Sequence, residues 1–141
     1  MRIFPIKLPI RASSALIQNQ KGHILLLKRS KLVKSYRGYW QLPEGKIERK
    51  ETAIQALNRE IEEELCVKII KTKFLGVYSY VQSFLFIPVF EIDRSIFKVE
   101  IKGKIRLSHE HTQYRWVSKN NLSNYKLLPG MRDIFNKLLT K

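Results

Sequence analysis

The chain has a single cysteine, no long apolar run and no acid in its first 43 residues. With only Cys66 present no intrachain disulfide can form, which suits a reducing compartment and makes the cytoplasm the expected location. No apolar stretch approaches the roughly 18 residues needed to cross a bilayer, and the opening MRIFPIKLPI lacks the continuous apolar segment of a secretory signal. No membrane partner is expected. Internal repeats and low-complexity segments are missing too. The 141 residues, 44% hydrophobic and 28% charged, fit one folded domain over 1–141, as a monomer or homodimer.

Acid is scarce overall: 12 Asp and Glu face 27 Lys and Arg, for a net charge of +15. Residues 1–43 carry nine cations (Arg2, Lys7, Arg11, Lys21, Lys28, Arg29, Lys31, Lys34, Arg37), whereas seven of the twelve acids lie between Glu44 and Glu64. A basic surround with an acidic centre suits an anionic ligand whose phosphates meet metal ions at the carboxylates and cationic side chains around them. The same excess would also serve RNA, or solubility alone.

The acids concentrate in GKIERKETAIQALNREIEEELCV, Gly45 to Val67. On a helix of about 3.6 residues per turn, Glu60, Glu64 and Glu63 fall within an arc of about 100°. Leu57, Ile61, Ile54 and Leu65 form an apolar stripe beside them, so the helix buries one flank and shows its acids along the border. Crowded carboxylates at such a border need pairing, protonation or a cation, and oxygen-only ligands suit a hard ion such as magnesium. Thr52 is the expected N-cap, with the helix ending at Leu65.

The stretch reads Gly, five residues, Glu, seven residues, Arg-Glu, an aliphatic, any residue, Glu-Glu, any residue, Cys, an aliphatic. This resembles the 23-residue Nudix box at every fixed position but one. Cys66 stands where the family has the glycine that ends the helix, at a cost of roughly 1–2 kcal/mol if the left-handed exit is kept. Glu44 likewise replaces the first of two glycines in the preceding aromatic-x-x-Pro-Gly-Gly pattern. A second stretch, from Ser108 to Val117, resembles a Glu-His-x-x-Tyr-x-Trp-aliphatic pattern of the branch that cleaves dATP-like nucleotides and dihydroneopterin triphosphate.

The resemblance implies an α/β/α sandwich, in which a mixed β-sheet is covered by the box helix and a C-terminal helix. The function it implies is magnesium-dependent hydrolysis, with manganese as a substitute ion, of the diphosphate linkage in a nucleoside triphosphate or other nucleoside diphosphate derivative. Glu60, Glu63 and Glu64 would ligate metal, with Glu60 also orienting or deprotonating water, and the Gly45 carbonyl and Glu110 would join the metal shell. Arg59, grouped with the catalytic residues, would pair with Glu51 to fix the loop against the helix. Glu51 and Cys66 are structural parts of the box. Arg29, Lys31 and Arg37, in or beside the basic loop Ser30–Tyr39, are the candidates for substrate contact, the partner being a small nucleotide. A protein that binds RNA or processes its 5′ end is the alternative. Trp40 is expected in the core rather than on a base, and His109 and His111 on a surface loop.

Strands are expected at Pro9–Gln18, His23–Arg29, Val67–Ile70, Lys73–Val81, Ser95–Ile105 and Thr112–Ser118, with Phe74, Val77, Tyr78 and Tyr80 packing inward. Pro88 points to an edge or a bulge within the apolar run Gln82–Ile92. A closing helix is expected over Met131–Leu139.

Overall fold

The structure, a computed structural model, describes residues 9–139. Most of the opening decapeptide, with Arg2 and Lys7, lies outside the described residues. The elements run β1 (Ile10–Ile17), β2 (Ile24–Arg29), β3 (Trp40–Gln41), β4 (Glu44–Lys46), α1 (Ala53–Leu65), β5 (Lys68–Phe84), β6 (Ile87–Lys102), β7 (His111–Val117), a 3-10 turn (Lys119–Asn124) and α2 (Met131–Leu139).

Alternation along the strands builds the layers, because successive side chains point to opposite faces. Ala15 and Ile17 of β1, Leu25 and Leu27 of β2, and Phe97 and Val99 of β6 pack with Leu57, Ile61 and Leu65 of α1. The intervening Leu16, Ile24, Leu26 and Ile96 join Met131, Ile134 and Phe135 of α2 on the other side. Two helices thus cover opposite faces of the strands. Four strands form a mixed sheet in the order β4-β1-β6-β5, in which only β1 and β6 run parallel. The other three form an antiparallel sheet in the order β3-β2-β7.

The two strands expected at Val67–Ile70 and Lys73–Val81 are one long strand, β5, interrupted by register shifts at Ile69/Lys71 and Phe74/Gly76. These bulges preserve pairing across the polar gap that suggested a break. They also re-aim the side chains: Phe74 and Val77 are exposed, whereas Tyr78 packs against the α2 side of the core. Pro88 pairs with Ser83 beside a third register shift, and the apolar run turns at Leu85-Phe86 to start β6. Trp40 is buried and meets Tyr125 edge-on, as a core residue.

Candidate active site

The N-terminus of α1 is closed by a reciprocal capping box, with Gln55 N–H donating to Thr52 Oγ1 at 3.2 Å and Thr52 N–H to Gln55 Oε1 at 2.9 Å. Along the helix, Arg59 binds outward in several directions. Its Nε and Nη2 donate to the two oxygens of Glu51 at 2.8 and 2.9 Å, and Nη2 also reaches the Lys46 carbonyl at 2.9 Å. Nη1 meets Glu60 Oε1 at 2.6 Å and approaches Glu63 Oε2 at 3.6 Å. The bidentate partner holds the Glu51 carboxyl down at about 2. One guanidinium therefore pins the loop before the helix and sits against two of the box carboxylates.

Gly45 lies directly against Glu60, and a Cβ there would overlap the Glu60 carboxyl group. The missing side chain makes room for a carboxylate, a use of glycine quite apart from turn geometry. At the other end, Cys66 takes the left-handed conformation (φ 56°, ψ 36°) and its N–H donates to the Glu62 carbonyl at 3.0 Å. The helix therefore ends on a non-glycine residue in the conformation the family's glycine favours.

The last carbonyls of α1 would lack partners in isolation. Here Arg106 N–H donates to Leu65 O at 2.9 Å and Ser108 N–H to Glu64 O at 3.2 Å. This segment continues into Glu110, whose carbonyl accepts from Ser30 N–H at 2.8 Å. The loop acid is thereby hung between the end of the box helix and the end of β2. Glu44, Gly45, Lys46, Glu60, Glu63, Glu64 and Glu110 line a single open concavity of about 550 Å³.

Glu64 is 3% exposed and its Oε2 has no hydrogen-bond partner. Burial first, then the charges of Glu60, Glu44 and Glu110, pushes its carboxyl well above the usual range, opposed by a backbone hydrogen bond at Glu44. Glu60 is raised for the same leading reason, with Arg59 opposing and Glu63 and Glu110 adding repulsion. Among the described residues no three acid, imidazole or thiol groups are gathered closely enough to grip an ion as they stand. The donor chemistry nevertheless fits a hard divalent cation: oxygen ligands only, one of them buried and unpartnered, in a carboxylate group destabilised by its own charge.

The acidic concavity adjoins a second, more apolar one of about 290 Å³, whose lining includes Tyr36, Phe90 and Ile92 together with Arg29, Gln41 and His111. Glu44, Gly45, Lys46, Glu64 and Glu110 line both. Arg29 is held there by Gln41 Oε1 at 2.7 Å and the Ser35 carbonyl at 3.1 Å. Lys31 and Arg37 are exposed and line neither concavity; Arg37 Nε is turned back onto the Val33 carbonyl at 2.7 Å. His109 is exposed, but His111 is not the surface loop residue expected: it opens β7 opposite Arg29 and is 5% exposed. Its burial, aided by Arg29, lowers its pKa to about 4, so the ring is neutral.

The ion pair between Glu44 and Arg94 escaped the sequence reading. Arg94 Nε donates to Glu44 Oε1 at 2.9 Å, Ser14 Oγ donates to the same oxygen at 2.6 Å, and Arg94 Nη1 reaches the Pro129 carbonyl at 3.1 Å. This buried pair joins the turn before Gly45 to β6 and to the segment before α2. Local sequence does not single out Arg94, because β6 also carries Lys98 and Lys102, and Glu91, Asp93 and Glu100 as nearer acids; only burial makes the pairing with Glu44 obligatory.

The NUDIX domain family model matches residues 8–138. An RNA pyrophosphohydrolase of Orientia tsutsugamushi (strain Boryong) is 32% identical, over 89% of this chain and 84% of that protein. The nucleoside triphosphatase NudI of Klebsiella pneumoniae (strain 342) is 30% identical, over 83% of this chain and 87% of its own. Among solved structures, the MutT protein from Methanosarcina mazei Go1 superposes with a TM-score of 0.76 at 29% identity, covering 94% of this chain and 95% of the other.

Proposed function

Given that the chain belongs to the Nudix hydrolase family and is a hydrolase of phosphoric anhydride bonds in nucleotide derivatives, we propose that its reaction is the magnesium-dependent cleavage of a nucleoside triphosphate or a related nucleoside diphosphate derivative. The observation that carries this reading is the buried, unpartnered Glu64 oxygen in a concavity shared with Glu60, Glu63, Glu110 and Gly45. Those carboxylates and the Gly45 carbonyl would hold the metal. When bound, magnesium or manganese supplies neutralisation of phosphate oxygens and a water of lowered pKa.

The rest of the work belongs to the chain. Glu60, held in the space above Gly45, orients the attacking water or accepts its proton, and Arg59 keeps Glu60 in place. Glu110 approaches from outside the box and adds a carboxylate that the helix cannot supply. Arg29, in the lining of the more apolar concavity, offers a cation to the anionic substrate, and the apolar arm with Tyr36, Phe90 and Ile92 receives the nucleoside. Lys31 and Arg37 reach substrate only through movement of their loop.

A second reading, cleavage at the 5′ end of RNA, is favoured by the Orientia relative and by the charge of +15. A panel of nucleotides and 5′-triphosphorylated RNA, assayed with magnesium for released phosphate or pyrophosphate, separates the two. Nucleotide turnover that stops with chelator, and falls by orders of magnitude in Glu63→Gln and Glu64→Gln, is expected. Near-normal rates in either purified variant would overturn the assignment, and turnover confined to RNA would favour the second reading.

A further inference from the structure

A third concavity, about 590 Å³ and open to solvent, shares no lining residue with the two at the carboxylates. Lys28 and Trp40 line it, while their neighbours Arg29 and Gln41 line the apolar arm of the cleft. Its floor is Trp40, 7% exposed and braced edge-on by Tyr125 with ring centroids 5.1 Å apart. The Lys28 ammonium lies 5.9 Å and the Arg115 guanidinium 5.4 Å from the Trp40 ring centroid. Lys126 completes the set, its ammonium 4.5 Å above the Tyr39 ring and its carbonyl accepting from Trp40 N–H at 2.7 Å. Asn121 and Asn124 add amide groups from the 3-10 turn.

No acid lines this concavity, and among the described residues none of its cations makes an ion pair. Like charges gathered in one concavity repel one another, and the aromatic faces of Trp40 and Tyr39 offset that only in part. An anion spanning them relieves the repulsion. We propose that this is a second anion site, which takes the phosphate groups of single-stranded RNA independently of the metal-binding carboxylates. Trp40 is too deeply buried to stack on a base, so the contact is to the backbone and carries no sequence preference. Its cations come from β2, β7 and the segment after the 3-10 turn, and so offer a chain of successive phosphates several points of contact.

The inference does not rest on the nucleotidase reading, and its test removes metal. Binding of a fluorescent 20-nucleotide RNA with a 5′ hydroxyl is measured by anisotropy in chelator across a salt series. Lys28→Gln/Arg115→Gln/Lys126→Gln should weaken binding at least tenfold and flatten the log–log salt slope by about 2, at roughly 0.7 per phosphate contact. Nucleotide hydrolysis with magnesium should stay within twofold of the parent, which also reports the fold. Should that triple variant fail to fold, Asn121→Asp/Asn124→Asp, both exposed, places acids in the same site and should weaken binding equally. Unchanged affinity and slope in the folded variants would overturn the site. So would an equal loss in Lys98→Gln/Lys102→Gln/Lys104→Gln, which removes the same charge elsewhere. Displacement of the RNA by tripolyphosphate at equal phosphate concentration would assign the site to small anions and overturn the RNA assignment.

Discussion

At Gly45 one missing carbon decides where a carboxylate sits. The atoms that a Cβ would strike belong to the far end of Glu60, a flexible side chain, so Gly45→Ala should fold while forcing Glu60 aside. We expect kcat to fall by about a hundredfold or more with little change in the urea midpoint, because a misplaced group of this kind costs the transition state rather than the fold. Cys66 presents the reverse case. Its φ of 56° is tolerable for cysteine and comfortable for glycine, so Cys66→Gly should raise stability by up to ~1 kcal/mol in denaturant titration, with activity retained. The box acids were legible because helical periodicity is local: spacing alone put Glu60, Glu63 and Glu64 on one border. The Glu44–Arg94 pair spans 50 residues and depends on which strands lie side by side, which no local pattern encodes. His111 was misread for a related reason, since its burial comes from pairing opposite Arg29 rather than from its polar neighbours in sequence.

Among the elements, the β5–β6 hairpin departs furthest from local preference. Its two-residue turn, Leu85-Phe86, holds φ of 50° and 66°, left-handed values that favour Asn-Gly, and both residues are exposed. Leu85→Asn/Phe86→Gly should therefore stabilise the protein by about 1–2 kcal/mol, read as a higher urea midpoint with an unchanged slope. The box helix was predictable from its Thr52 cap and apolar spacing, and the closing helix from the apolar Ile134, Leu138 and Leu139. The long strand was not, because bulges at Ile69/Lys71 and Phe74/Gly76 carry its pairing through segments whose composition suggests an interruption.

For the molecule as a whole, the crowded carboxylates link stability, pH and metal. Glu60 and Glu64 are raised above 4.5 in the folded state, so above that pH the metal-free fold binds more protons than the unfolded chain. Their contribution to stability therefore falls as pH rises, from the ordinary carboxylate range up through their folded values. Thermal unfolding in chelator should show this loss, Glu64→Gln should lessen it, and magnesium should reverse it most at the higher pH, with protons released on binding. A flat magnesium response across pH would contradict the linkage. The same cooperation has a kinetic side at the end of α1, where the amides of Arg106 and Ser108 close onto the carbonyls of Leu65 and Glu64. Those two amides can exchange with deuterium only when these bonds break, so their exchange reports each release of the loop bearing Glu110 from the last turn of the box helix. Their exchange rates are thus a clock for assembly of the site, readable without substrate or metal.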